Sequence, residues 1–116
     1  MEKLRAVAAL AALAQETRLD IYRLLVQTGP AGLAAGQIGQ RLNLASATLA
    51  FHLKELKNAG LASCVRDGRS LIYAAEYPAM NALLAYLTEN CCGRPSTGCA
   101  PVCVPEQACL NTNGSI

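Results

Sequence analysis

The alternation of apolar and polar positions along the chain predicts five helices and one β-hairpin. Apolar side chains recur at intervals of three or four residues, which is the spacing of one face of an α-helix. The predicted helices cover residues 4–14, 15–28, 36–42, 46–58 and 78–90. Between two short runs, 61–66 and 70–75, stands Asp67-Gly68, a dipeptide typical of tight hairpin turns. The pattern therefore indicates a mainly α fold with a small β-hairpin (α+β).

The apolar positions also predict which helix faces are buried. In the first helix the large apolar residues lie near one face, and they are Leu4, Val7, Leu10 and Leu13. In the second helix the residues predicted to be largely buried are Leu19, Ile21, Tyr22, Leu24, Leu25 and Val26, and those predicted to face outward are Arg18, Asp20 and Arg23. Gly29 and Pro30 end that helix, and residues 31–35 are a connector with room for a short edge strand. In the fourth helix the buried stripe consists of Leu49, Leu53 and Leu56.

Length and composition are those of one folded domain followed by a tail. The chain has 116 residues, of which 53% are hydrophobic, and this suffices for a single core. No segment is long and apolar enough to span a membrane. After Cys92 the sequence is rich in Gly, Pro, Ser, Thr and Cys. We expect a folded domain over residues 1–92 and a Cys-rich, largely flexible tail over 93–116.

The N-terminal residues also have the layout of a secretory signal. Lys3 and Arg5 precede an apolar run, and Ala12-Leu13-Ala14 resembles a cleavage site. The run is mostly alanine, however, which is weak for a signal core, and it continues into plausible helical sequence. We therefore expect a cytoplasmic protein in which this run is a packing or dimerisation helix.

The charge pattern favours a nucleic-acid partner. The net charge is only +2, yet five basic residues and two acidic ones lie between positions 41 and 69. A local basic face of this kind can bind phosphate. Helix, short turn, helix and hairpin together make a winged helix-turn-helix, whose second helix enters the major groove of DNA. The candidate DNA-binding residues are Ser46, Ala47, Thr48, Ala50, Phe51, His52, Lys54, Lys57, Arg66 and Arg69.

The chemistry of these residue types suits a duplex. Hydroxyl groups can contact base edges or phosphates, and Ala and Phe can pack on thymine methyl groups. The Lys and Arg side chains would contact phosphates, which position a protein without specifying sequence. Two alternatives remain open at this point. Residues 46–58 also fit an ordinary surface helix with solvated charges, and His52, the one histidine, fits a packing position equally well.

Residues 44–73, LASATLAFHLKELKNAGLASCVRDGRSLIY, resemble the ArsR/SmtB family of bacterial metal-sensing repressors. The matching positions are His52-Leu53, Leu56, Ala59-Gly60-Leu61, Asp67-Gly68-Arg69 and Tyr73, and earlier Thr17-Arg18-Leu19, Ile21 and Leu24-Leu25. The resemblance covers about residues 4–90. It implies a homodimer that binds double-stranded operator DNA, with the first and fifth helices at the dimer interface. The family commonly has Arg before the His, whereas Phe51 stands there in this chain.

The cysteines are concentrated in the tail. Five of the six follow position 90, and they are Cys91, Cys92, Cys99, Cys103 and Cys109. In a reducing cytoplasm, clustered thiols fit ligands of soft ions better than disulfides. The run ENCCGRPSTGC resembles arsenic-responsive repressors that carry a Cys pair after the last helix and a third Cys shortly beyond. This resemblance implies a metal site of Cys91, Cys92 and Cys99, with Cys103 as a further candidate.

The implied inducer is trivalent arsenic, with antimony(III) or a trivalent methylated arsenical as alternatives. These soft ions favour three thiolates in a trigonal pyramid, and their binding is expected to release the repressor from DNA. Adjacent cysteines on a continuous helix point roughly 100° apart, so both can reach one ion only if the helix unwinds there. Gly93 and Pro95 allow the chain to turn back.

Other interpretations of the cysteines remain open at this point. They are a tail with incidental thiols, a zinc- or cadmium-responsive repressor, including a four-Cys zinc site with Cys103, and a thiol-redox-responsive repressor. Cys64, on a wing strand, is interpreted as a small buried hydrophobe. The chain has no Cys-x5-Arg phosphate loop, His-Glu pair or Gly-rich nucleotide loop. We therefore expect neither an enzyme nor a catalytic cofactor.

Overall fold

The computed structural model describes residues 1–93, which form five α-helices, three β-strands and one 3-10 turn. The helices are α1 (Lys3–Leu13), α2 (Glu16–Thr28), α3 (Ala35–Leu42), α4 (Ser46–Asn58) and α5 (Tyr77–Leu87). The strands are β1 (Leu33–Ala34), β2 (Ala62–Asp67) and β3 (Ser70–Ala75), and the 3-10 turn is Cys91–Gly93. The predicted winged helix-turn-helix is confirmed. The tail boundary at 92/93 stays a prediction, because residues 94–116 lie outside the described part.

The three strands form an antiparallel sheet in the order β1-β3-β2. The hairpin of β2 and β3 is the wing. Asp67 pairs with Ser70, so the two-residue turn consists of Gly68 and Arg69. The prediction of an Asp67-Gly68 turn is therefore wrong by one residue, because the backbone of Asp67 still belongs to the ladder. Gly68 has the positive φ, 65°, that a tight hairpin turn requires.

The core lies between the helices and one face of the sheet. Its completely buried large side chains are Ile21, Leu25, Ile38, Leu53, Leu56 and Leu61. The predicted stripe of α4 is confirmed, since Leu49, Leu53 and Leu56 are all buried. Helix α4 packs against α1, α2, α3 and β2. Its position is thus fixed from several sides, with only its outer face free.

Helix α1 packs against the rest of the chain through alanines. Its buried residues are Ala6, Ala9 and Ala12. Leu4, Val7 and Leu10 share a face, as predicted, but that face is exposed; 73% of the Leu4 surface is accessible. Leu13, which was predicted to lie near the same face, is instead partly buried against the core. Methyl groups let the backbone of α1 approach its neighbours closely, because the interaxial distance of packed helices depends on the side chains between them.

Two predictions about α2 are wrong. Leu19 was predicted to be buried and is exposed, whereas Arg18 was predicted to face outward and is partly buried. The reason is the helical spacing. Arg18 precedes the buried residues Ile21, Tyr22 and Leu25 at i+3, i+4 and i+7, so it lies on their face of the helix.

Helix α5 is shorter than predicted. Pro78 stands in its first turn, as expected, but the helix ends at Leu87 rather than near residue 90. Asn90 and Cys92 then have positive φ values of 55° and 59°, which take the backbone out of the helical path. None of the described helices is long and apolar enough to cross a lipid bilayer.

Two tyrosines lie at the contact between α2 and the start of α5. The Tyr77 hydroxyl donates a hydrogen bond of 2.8 Å to the carbonyl oxygen of Val26 near the end of α2. Tyr22 is buried, and its hydroxyl has no hydrogen-bond partner in residues 1–93. Burial, with a smaller contribution from Tyr77, raises the pKa of Tyr22 to about 12. Both rings therefore stay neutral phenols at ordinary pH.

The backbone at Gly32 lies so close to β3 that it leaves no room for a side chain. It has φ 80°, and a Cβ added there would lie 2.6 Å from the carbonyl oxygen of Tyr73 and 3.0 Å from Cγ2 of Ile72. We expect Gly32→Ala to lower the free energy of unfolding by about 2–4 kcal/mol, because the left-handed conformation and the backbone clash both oppose a side chain. Urea denaturation measures the change.

Gly36→Ala is the matched control. A Cβ at Gly36, in the first turn of α3, would have no neighbour within 4 Å. This substitution should raise the free energy of unfolding by about 0.5 kcal/mol, because alanine has the higher helix propensity. Equal stability of the two variants would contradict the close approach of the chain at Gly32 to β3.

Candidate nucleic-acid interface

A short turn sets the direction of α4 relative to α3. Asn43 takes the left-handed conformation, with φ 56°, which asparagine tolerates better than most residues. The N–H of Leu44 donates a hydrogen bond of 2.9 Å to the carbonyl oxygen of Gly39 and so closes the end of α3. Only Asn43, Leu44 and Ala45 separate the two helices. The pair has the compact geometry of a helix-turn-helix.

Helix α4 divides its side chains between the core and the exterior. Seven of the eight predicted DNA-binding residues on this helix are exposed, and they are Ser46, Ala47, Thr48, Ala50, Phe51, Lys54 and Lys57. Hydroxyl groups stand at the beginning of this outer face and lysines toward its end. Because the opposite face is held in the core, the outer face can contact a duplex without any loss of packing.

The N-terminus of α4 is open to a ligand. The residue that precedes the helix, Ala45, is exposed, and its side chain cannot accept a hydrogen bond from the first turn. The first N–H groups of a helix lack partners inside the helix and carry partial positive charge. This arrangement suits a phosphate oxygen, which can accept from several N–H groups at once.

His52 is the exception among the predicted DNA-binding residues. It is 8% exposed, and its Nδ1 lies 3.3 Å from Nη1 of Arg18. This placement favours the packing interpretation of His52 over a DNA contact. The neighbouring Phe51 is 56% exposed. Its ring meets the His52 imidazole edge to face, with 5.3 Å between the ring centroids, and so presents an apolar surface on the outer face of α4.

The wing carries the two predicted DNA-binding residues that do not lie on α4. Arg66 lies on β2 and Arg69 in the hairpin turn, and both are exposed. At the base of the wing, Cys64 pairs with Tyr73 across the strands. Burial raises the pKa of Tyr73, and the adjacent Cys64 thiol raises it further. Cys64 is therefore a partly buried member of the sheet, close to its predicted role as a small hydrophobe.

Two thiols meet just beyond α5. Cys91 and Cys92, here called the thiol pair, have sulfur atoms 3.4 Å apart. They lie in the 3-10 turn, where Cys92 takes φ 59° and ψ 25°. The turn is closed by the N–H of Cys91, which donates to the carbonyl oxygen of Thr88 at 3.0 Å. The sulfurs converge because the chain has left the helix before reaching them.

The thiol pair does not form a three-ligand site by itself. Within residues 1–93, no group of three His, Cys, Asp or Glu residues is placed to hold a metal ion. The predicted ligands Cys99 and Cys103 lie outside the described residues. The structure thus places two of the predicted metal ligands together and leaves the third as a prediction.

Comparisons with known proteins identify the family. A family model described as a helix-turn-helix domain matches residues 13–65. The HTH-type transcriptional regulator YgaV of Escherichia coli (strain K12) is 30% identical over 76% of this chain and 87% of that protein. The structure of an ArsR-like transcriptional regulator from Rhodococcus sp. RHA1 superposes with a TM-score of 0.65 and 30% identity, over 73% of this chain and 77% of that one. The chain belongs to the ArsR-like helix-turn-helix transcriptional regulators.

A further relative of this ArsR-like regulator matches over a shorter length. The uncharacterized HTH-type transcriptional regulator YceK of Bacillus subtilis (strain 168) is 37% identical over 59 residues. That match covers 51% of this chain, and the chain spans little more than half of YceK, 58% of its length. Both of these relatives are described as HTH-type transcriptional regulators. The predicted family is confirmed, and the arsenic-responsive subgroup stays a prediction.

Proposed function

We propose that this ArsR-like regulator is a homodimeric repressor that binds operator DNA and is released when trivalent arsenic, or antimony, binds the thiolates of Cys91, Cys92 and Cys99. The observation that supports the sensing half most directly is the 3.4 Å separation of the two sulfurs in the thiol pair. The two cysteines proposed as ligands of one soft ion are therefore neighbours in the structure.

The exposed apolar face of α1 supports the homodimer. Leu4, Val7 and Leu10 are exposed there, and Leu84 and Leu87 are exposed on α5, which contacts α1. Exposed large apolar side chains on two helices that contact each other are typical of a protein interface. A second copy can cover it in a symmetric pair. Two α4 helices would then face successive major grooves about 34 Å apart.

The outer face of α4 and the wing would contact the duplex in different ways. Ser46 and Thr48 offer hydroxyl groups to base edges, and Phe51 offers an apolar surface to thymine methyl groups. Lysines of α4 and arginines of the wing would bind phosphates and set the register of the protein on DNA. Because Phe51 stands where the family commonly has Arg, base recognition depends on short side chains and apolar contact.

The thiol chemistry of the proposal balances without any further reactant. Neutral arsenous acid, As(OH)3, reacts with three thiols to form an As(SR)3 centre and three molecules of water. Each As–O bond is replaced by an As–S bond, and each thiol proton leaves in water. Cys91 and Cys92 would supply two of the sulfurs and Cys99 the third. Soft thiolates select soft ions.

A redox function is the second candidate. The same 3.4 Å contact between the Cys91 and Cys92 sulfurs would favour oxidation of two thiols to a disulfide by a peroxide, which would be reduced to water. A zinc site is less well matched, because adjacent cysteines lack the Cys-x-x-Cys spacing usual in structural zinc sites.

Ala45 provides a prediction in which stability and DNA affinity change in opposite directions. Ala45→Asp should raise the free energy of unfolding by about 1 kcal/mol, because aspartate caps the first turn of α4. The same carboxylate should weaken operator affinity about tenfold, because it stands where phosphate is expected. Urea denaturation and fluorescence anisotropy with a labelled duplex measure the two effects.

Ala45→Ser is the control, since serine caps the helix without charge. It should raise stability similarly and keep operator affinity within about threefold of the wild type. If Ala45→Asp binds DNA as well as Ala45→Ser does, the N-terminus of α4 does not face the phosphates.

The sensing function is tested with a duplex selected from a random pool by the full-length wild-type protein. Saturating arsenite should raise the dissociation constant of the operator complex at least about tenfold, within the usual range of allosteric coupling. Cys91→Ser, Cys92→Ser and Cys99→Ser should keep DNA affinity and lose this response. Cys64→Ser, on the wing, is the control and should keep both.

The same titration of operator binding is repeated with antimonite, methylarsenite, zinc, cadmium and hydrogen peroxide. Release by antimonite or methylarsenite as well as arsenite would define the ligand class. Release by peroxide but not by arsenite would replace the metalloid function with the redox one. Operator affinity that stays unchanged at saturating arsenite would contradict metalloid sensing.

A further inference from the structure

The guanidinium of Arg18 connects three helices. Its Nε donates a hydrogen bond of 2.7 Å to the carbonyl oxygen of Ala12 in the last turn of α1. Its Nη1 lies 3.3 Å from Nδ1 of His52 in the middle of α4. The backbone N–H of Arg18 donates to Oε1 of Gln15, the residue that caps α2, at 2.8 Å. One residue of α2 is thereby bonded to both α1 and α4.

The alanine side chains between α1 and α4 let the two helices approach closely, but they define the crossing angle less well than large interlocking side chains would. A crevice of about 280 Å³ runs between the two helices, beside Arg18. Ala8, Ala11 and Ala12 line it on α1, and Glu55 and Asn58 line it on α4. Methyl groups make a smooth surface without the interlocking ridges that set a helix crossing. Directional hydrogen bonds next to such a contact therefore have the larger share in fixing the angle.

The bond between Arg18 and His52 is partly buried. Arginine has no hydrogen-bond acceptor, so in this bond Arg18 donates and Nδ1 of His52 accepts. Among residues 1–93, His52 is the one buried residue of the polar or charged types, which otherwise lie at least partly exposed. Loss of the Arg18 side chain would leave Nδ1 of the buried His52 without this partner, and an unpaired buried polar group costs more than the bond itself contributes. His52 lies on α4 directly beside the exposed Phe51. The position of His52 therefore sets the rotation of α4 about its own axis, and with it the direction in which the outer face points.

We propose that Arg18 is a positioning residue for DNA recognition. It fixes α4 relative to α1, and through the exposed face of α1 it fixes the distance between the two α4 helices of the dimer. The wild-type protein would then match one spacing of operator half-sites. This inference rests on the proposed function of a homodimeric operator-binding protein. The hydrogen bonds of the Arg18 guanidinium go to Ala12 and His52, so its effect on DNA is indirect.

The test compares Arg18→Met with Arg23→Met, an exposed arginine of the same helix. Both full-length variants lose one positive charge, and both are measured where denaturation curves show them folded and sedimentation shows them dimeric. On a duplex selected by the wild-type protein, Arg18→Met should raise the dissociation constant about tenfold or more. Arg23→Met should stay within about threefold.

Three further readouts separate positioning from a general structural role. The slope of affinity against salt should be unchanged in Arg18→Met, whereas Arg69→Gln, which loses a phosphate contact, should reduce it by about 1. One extra base pair between the half-sites should weaken binding by the wild-type protein. The factor by which it weakens binding should be at least about threefold smaller for Arg18→Met. The double variant Arg18→Met/His52→Leu should bind no more weakly than Arg18→Met, because the two residues act through one bond.

Arg18→Lys covers the case in which Arg18→Met does not fold. Lysine keeps the charge, but its ammonium lacks the fixed fork that bridges two acceptors, so the preference for half-site spacing should still weaken. Wild-type affinity and spacing preference in the Arg18 variants would overturn the positioning role. A reduced salt slope would overturn it too, since it would indicate direct phosphate contact. A wild-type protein that selects no duplex would overturn the proposed DNA-binding function and this inference together.

Discussion

The alanine face of α1 is the constraint on which the arrangement of the other helices depends. Ala6, Ala9 and Ala12 are the residues this helix buries, and their small size brings its backbone close to α2 and α4. Helix α1 therefore has to present its large apolar residues on the opposite side, where the chain alone leaves them exposed. A monomer with such a face is incomplete, and the proposed dimer is the simplest way to cover it.

Helix α4 serves both the stability of the core and the proposed recognition of DNA, because its helical periodicity separates a buried face from an exposed one. Its leucine stripe and His52 lie inside, and its hydroxyls, Phe51 and lysines lie outside. The inward residues fix where the outward ones stand, so the quality of the packing limits the precision of any DNA contact. The bond between Arg18 and His52 adds direction to this packing. It lies where the side chains of α1 are alanines, whose methyl groups cannot form hydrogen bonds.

The sequence predicts the elements of this fold better than their orientation. The bounds of α4 and the buried stripe agree because leucine spacing and Gly60 define them locally. The orientation of α1 does not follow from periodicity, since alanine and leucine are both apolar and only tertiary packing decides which face turns inward. The charge of Arg18 predicts an outward position, but its spacing with Ile21 and Leu25 places it on the inner face of α2. No glycine or proline marks the end of α5 at Leu87, so its length was overestimated.

The proposed sensor would connect its sites through contacts that are contiguous in the structure. Tyr77 bonds α5 to the end of α2, and Arg18 bonds α2 to α4. Contiguity alone does not establish coupling, which is a difference in binding free energy and is reciprocal. The most direct measurement is the arsenite dissociation constant of the free dimer and of the operator complex. Operator DNA should weaken arsenite binding by the same factor, about 5–150-fold, by which arsenite weakens DNA binding. Equal arsenite affinity in the two states would contradict the coupling.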